Sequence, residues 1–176
     1  MIDFSHNHFQ LFGLPERFRF DADALDRAYR ALQGEVHPDR FATASESERR
    51  LALQSSARVN EAYQALRDPV ARAQYMLSLR GIDAFDETDT TLAPDFLERQ
   101  LERREVAANA VAEGDTQRLA ALAREVREDA DRLEQRLAAR LDRDSAWDAA
   151  RSDVRELRFL AKLAADIDAM QGELDA

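Results

Sequence analysis

Apolar residues at 25, 28, 29, 32 and 36 lie three or four apart, and this spacing predicts an amphipathic helix. Asp21 is a good N-cap for it, with Phe20 before the cap and Leu25 four positions inside as a hydrophobic staple. The helix should stop near Val36, because the residue before a proline is pushed out of the α region. Upstream, Asn7 caps a short helix that ends at Phe12-Gly13, and Leu14-Pro15 turns the chain. Downstream, Leu53, Ala57, Tyr63 and Leu66 recur at helical intervals, predicting a helix from about Ser45 or Ser47 to Leu66. Asp68-Pro69 then opens a fourth helix that Gly81 ends.

Residues 82–94 have no helical period and close on Pro94, so they are expected to be a linker. Three longer helices follow, over 95–113, 116–141 and 145–172. Gly114 closes the first of these, and Ser145 to Asp148 resembles a capping box with Asp in place of Glu. The middle helix carries Leu119, Leu122, Val126, Ala130, Leu133, Leu137 and Leu141 on one stripe; the last carries Trp147, Ala150, Val154, Leu157, Ala161 and Ala164. Short connections between helices of this length favour an antiparallel three-helix bundle. The expected architecture is all-α: a helical hairpin unit over 1–81, a linker over 82–94 and a three-helix bundle over 95–176.

Charge sharpens that division. Residues 1–81 hold 11 basic and 11 acidic groups, while 82–176 hold 14 and 24, so the whole net charge of −10 lies in the second part. That balance argues against nucleic acid and against anionic lipid, leaving a protein as the expected partner. No run of 18 apolar residues exists, and the first eight residues lack the basic and apolar regions of a signal peptide. The absence of cysteine removes disulfides, thiolate catalysis and Cys-ligated metals, and fits a reducing, cytoplasmic setting.

Between the second and third helices stands His37-Pro38-Asp39. The proline stiffens the loop, so His37 and Asp39 are presented at a rigid tip facing solvent. A carboxylate held there can form a bidentate pair with a partner's arginine. Alone, the tripeptide reads first as a helix-breaking turn.

Its flanks change that reading. Leu11-Phe12-Gly13-Leu14-Pro15, the Tyr29–Leu32 spacing, Arg40-Phe41 after the tripeptide, Asn60 to Leu66, Asp68-Pro69, Arg72-Ala73 and Tyr75 stand in the order of a J-domain. The resemblance covers residues 8–81. The Leu-Phe-Gly-Leu-Pro opening, Tyr75 to Leu79, the acidic bundle and the stretch from Leu157 to Leu163 are similar to the HscB family of J-type co-chaperones in iron–sulfur cluster assembly. This resemblance implies docking on an HscA-type chaperone of the seventy-kilodalton heat-shock class, whose ATPase the J-domain stimulates. His37, Pro38 and Asp39 match the stimulating motif; Arg27 and Arg30 are candidates for the basic face of the second helix, and Arg40 stands where the family often has Lys. Asp23, Asp26 and Glu35 dilute that face.

In the bundle, Phe96, Ala107 and Val111 share one face, within roughly 60° at about 100° per residue. Leu97 and Leu101 lie one edge further round, beside Glu98, Glu102 and Glu105, and Phe159 is off the Leu157 stripe. Sequence alone favours Leu97, Leu101 and Phe159 as filling a broad bundle core; the other reading is a docking patch bordered by carboxylates. The resemblance implies the second, since Leu97, Leu101, Glu102, Glu105 and Phe159 match the family's site for the IscU-type cluster scaffold. Glu98 departs from it where the family commonly has an apolar residue, and Asn109 replaces an acid.

Other chemistry is thinly represented. His6, His8 and His37 are the only histidines and no Cys assists them, so no metal or other cofactor is expected. No nucleophile or Gly-rich phosphate loop accompanies His37 and Asp39, and the chain is not expected to be an enzyme. The rival to the cluster-assembly reading is a general J-domain adaptor, or a dimerising helical bundle with a degenerate J-like hairpin.

Overall fold

The structure, a computed structural model, describes residues 2–86 and 92–174. It is all-α. Its chain divides into two compact units, Met1–Met76 and Leu77–Ala176. Of the expected linker, residues 87–91 lie outside the described residues.

The first unit begins with α1 (His8–Leu11), closed at its start by a capping box in which Asn7 and Gln10 bond each other's backbone N–H groups. Next come α2 (Ala22–Val36), a 3₁₀ turn (Pro38–Phe41) and α3 (Glu46–Arg67), with Asp21 and Ser45 as side-chain caps of the two long helices. Helix α4 runs Pro69–Ser78. Phe20, expected to staple α2, sets its ring edge-on to Phe9 at 6.2 Å.

Leu25 and Val36 of α2 are buried as the spacing required. On α3 the buried face is Ala52, Ser55, Val59, Ala62, Tyr63 and Leu66, which includes the expected Tyr63 and Leu66 but leaves the expected Leu53 and Ala57 outside. Leu53 is 57% exposed. The Tyr63 ring fixes this phase: it stacks on Tyr29 at 4.0 Å, and its hydroxyl donates to Asp26 at 2.9 Å. Tyr29 donates in turn to Asn60, so polar and aromatic contacts lock α2 against α3 along one line.

The second unit is built on α5 (Pro94–Glu113), α6 (Thr116–Ala139) and α7 (Trp147–Leu174), with a π-helical turn, Arg140–Asp144, after α6. Gly114 adopts φ 67°, letting the Gly114 and Asp115 N–H groups reach back to the last carbonyls of α5. The capping box expected at Ser145 does not form. Ser145 takes a left-handed φ of 50° to close the π turn, and α7 starts two residues later. Ala84, expected in the linker, is fully buried, and its carbonyl accepts from Arg155 at 2.7 Å.

On α7 the core face is Ala150, Asp153, Val154, Leu157, Leu160, Leu163 and Ile167, so the stripe continues through the leucines rather than through Ala161 and Ala164. Burying the larger side chains contributes more, at roughly 0.8 kcal/mol per methylene. Helix α5 buries Phe96, Gln100, Arg103, Ala107 and Ala110; Val111, expected with Phe96, is 36% exposed. Arg103 is held by Glu125 at 2.6 Å and by Asp129, which Arg132 also contacts. Burial works against the charge of Asp129, yet these two arginines hold its carboxyl below the usual range.

His8 is buried against Tyr75, its ring stacked at 3.9 Å. Burial, with the nearby Arg58 charge, pushes its imidazole below the ordinary value of about 6.5. Below about pH 6.5 the unfolded chain therefore binds a proton that the folded one refuses, and stability falls as pH falls. Thermal melts from about pH 7 to about pH 5.5 should show a loss of stability that His8→Phe largely removes; an unaltered slope in the variant contradicts this.

Candidate functional site

The His37 backbone stands at φ −59°, ψ 128°, the extended conformation that Pro38 demands of its predecessor. Its Nδ1 accepts the Asp39 N–H at 3.3 Å, so the imidazole caps the 3₁₀ turn. Asp39 points outward, with 90% of its side chain exposed and its carboxylate 3.5 Å from the His37 ring. His37, Pro38 and Asp39 are thus presented together on a short, braced loop.

The three arginines differ. Arg40 donates to the Gly34 carbonyl at 2.8 Å, closing the open end of α2 and tying the tip to it. Sequence spacing did not reveal that role, although a basic residue just past a helix end is its usual signal. Arg27 pairs with Asp21 at 3.2 Å, both largely exposed, which is a weak contact. Arg30 is exposed one turn further along, and no carboxylate among the described residues pairs with it. Asp26 dilutes this face less than expected, because its carboxylate turns toward α3 to accept the Tyr63 hydroxyl. That bond holds the Tyr63 phenol above its ordinary range.

In the second unit Leu97 is 40% exposed and Leu101 68% exposed. They are surface residues and do not fill the bundle core. With Ala108 and Val111, also exposed, they form an apolar stripe along α5, and Glu98, Glu102 and Glu105 lie on its outer side. Asn109 is exposed on that outer side as well. Phe159 of α7 is half-buried, with its ring edge-on to Phe96 at 5.8 Å. The Arg104 guanidinium lies over the same ring at 5.3 Å, so side chains of α5 meet Phe159 from two sides. Sequence reasoning passed over Arg104; its signal is the three-residue step from Leu101.

A separate cavity of about 360 Å³ opens between the bundle helices around Arg103, Arg136, Asp129 and Glu156. Arg136 there pairs with Asp153 at 2.9 Å and with Glu156 at 3.2 Å, and Arg103 and Arg132 share Asp129. It is part of the scaffold. Among the described residues no group of three or more His, Cys, Asp or Glu could hold a metal ion, and no helix is long and apolar enough to cross a membrane.

Comparison with known proteins falls on the same two units. Residues 7–75 match the DnaJ domain, and residues 92–168 match the HSCB C-terminal oligomerisation domain. The co-chaperone protein HscB homolog of Paraburkholderia phymatum is 46% identical over 175 residues, spanning 99% of each chain. Among solved structures, the chaperone HscB of Vibrio cholerae superposes with a TM-score of 0.87 at 39% identity, covering 96% of this chain and 99% of that one. The human co-chaperone protein HscB reaches the same TM-score at 26% identity, over 95% of this chain and 83% of its own.

The exposure of the α5 stripe has a direct consequence for stability. Leu101→Ala should change the unfolding free energy by less than about 0.5 kcal/mol, whereas Leu157→Ala, in the core, should cost about 2–5 kcal/mol. Chemical denaturation measures both, and a core-sized loss at Leu101 would return it to the bundle interior.

Proposed function

Because the chain belongs to the HscB family of J-domain co-chaperones, we propose that it brings an IscU-type iron–sulfur cluster scaffold to an HscA-type seventy-kilodalton heat-shock chaperone and stimulates that chaperone's ATPase. The supporting observation is one chain carrying two unlike exposed features, a braced His37–Asp39 tip and a leucine stripe edged with carboxylates. ATP hydrolysis takes place in the chaperone, and this protein supplies contacts. It does so in the cytoplasm.

At the tip, Asp39 offers a carboxylate for a bidentate arginine on the chaperone, while Pro38 lowers the loop entropy that docking would otherwise cost. Arg27 and Arg30 add exposed positive charge on α2, which speeds encounter more than it deepens affinity. Arg40 acts by positioning the tip. In the bundle, Leu97, Leu101 and Phe159 supply the apolar part of the scaffold contact, and Glu102 and Glu105 its acidic border.

The two features should fail separately. His37→Gln should return the chaperone's ATPase to its unstimulated rate while leaving scaffold affinity within about twofold of wild type. Leu97→Ala with Leu101→Ala should weaken scaffold binding by about tenfold or more, read by titration calorimetry, without lowering the melting temperature. Full stimulation by His37→Gln would overturn the mechanism.

A further inference from the structure

On the α7 side of Phe159 an open cavity of about 350 Å³ is lined by the Phe85 and Phe159 rings together with Arg104, Arg158 and Lys162. Arg155 also lines it, donating its Nε to the Ala84 carbonyl. The one carboxylate of the lining, Asp86, lies 4.0 Å from Arg151. Cations thus converge on an aromatic floor within the part of the chain that carries the whole negative excess.

Several arginines of this unit are matched by the chain's own acids, Arg127 by Asp168 and Arg140 by Asp153. Among the described residues no carboxylate pairs with Arg104, Arg158 or Lys162. Two of the three are fixed by rings: Arg158 lies over Phe85 at 4.0 Å and Arg104 over Phe159 at 5.3 Å. A guanidinium held over a ring still has N–H groups to offer a carboxylate and less freedom left to lose. Like charges gathered in one cradle repel one another, and an anionic partner relieves that repulsion.

The patch is therefore polarised. Glu98, Glu102 and Glu105 edge the leucine stripe on one side, and Arg104, Arg158 and Lys162 gather around Phe159 on the other. We infer that this cationic cradle receives an acidic, carboxylate-bearing segment of the scaffold protein and so sets the direction in which the scaffold lies across α5 and α7. The inference rests on the reading of the α5 stripe as the scaffold site. A scaffold bound the other way round would bring its acidic segment against the glutamates, a juxtaposition that complementary interfaces exclude.

Lys162 is the only lysine in the chain, which makes the contact directly readable. Carbodiimide coupling joins a lysine amine to a carboxylate it touches, with loss of water. Treating the full-length protein with an IscU-type scaffold should give a peptide in which Lys162 is joined to a scaffold Asp or Glu, its yield falling as salt is raised. Lys162→Arg should abolish the cross-link yet keep the affinity. Arg158→Glu with Lys162→Glu should weaken binding about five- to tenfold at low salt and less at high salt. Lys162→Glu alone, on an exposed side chain, gives the same reading if the double variant is unfolded. If wild type binds the scaffold, Lys162 forms no cross-link and the charge-reversed variants bind equally well, the cradle is overturned and the leucine site stands. If wild type does not bind the scaffold at all, both readings fall.

Discussion

Pro38 is the constraint on which the first unit depends. It bars His37 from the helical region, so α2 must end there and the chain must turn before α3 can fold back. The freed ends are then satisfied locally, the Asp39 N–H by the His37 ring and the Gly34 carbonyl by Arg40. The Tyr29–Tyr63 stack fixes the phase of the two helices below the turn. The groups that build the turn are thus the ones presented to solvent, and a change at the tip alters local structure and recognition together.

The second unit follows a different logic. On α5 the core positions are filled partly by Gln100 and Arg103, while Leu97 and Leu101 face solvent. Burying an arginine requires paired acids, which Glu125 and Asp129 provide, and exposing two leucines forgoes their burial. An arrangement that inverts the hydrophobic rule in two ways on one helix costs stability, and such local conflicts concentrate where a surface is used for binding. The exposed leucines between opposite charges are the counterpart of that cost.

Much of this was legible in the sequence, because the signals were local. The breaks at Pro38, Asp68-Pro69, Gly81 and Gly114 and the caps at Asn7, Asp21 and Ser45 all act within a few residues, and the helices run between them. Phase within a helix was less legible. Leu53 and Ala57 were placed on the core face of α3, yet the Tyr63–Tyr29 stack turns Ala52 and Ser55 inward. On α7 the alanines at 161 and 164 fit the period as well as Leu160 and Leu163, and only packing against the other bundle helices selects the larger residues. Polar core residues were invisible to an apolar pattern: Arg103 and Asp153 are recognised only with their partners on other helices, and Gln100 only with Arg103 one turn along. The exposure of Leu97 and Leu101 follows from that, since the sequence alone leaned toward placing them in the core. At the tip, the motif was readable but the Arg40–Gly34 bond was not.

On the reading proposed above, tip and stripe act as one device because one chain carries both. If so, each scaffold held by the stripe is delivered at a high effective concentration to the chaperone that the tip has docked. The most direct measurement is scaffold-dependent stimulation of the chaperone's ATPase by an equimolar mixture of two full-length variants, His37→Gln and Leu97→Ala/Leu101→Ala. Each variant keeps one feature and lacks the other. The mixture should fall well short of the wild-type protein at the same concentration. Stimulation by the mixture equal to wild type would show that the two features need not share a molecule, and would contradict that reading.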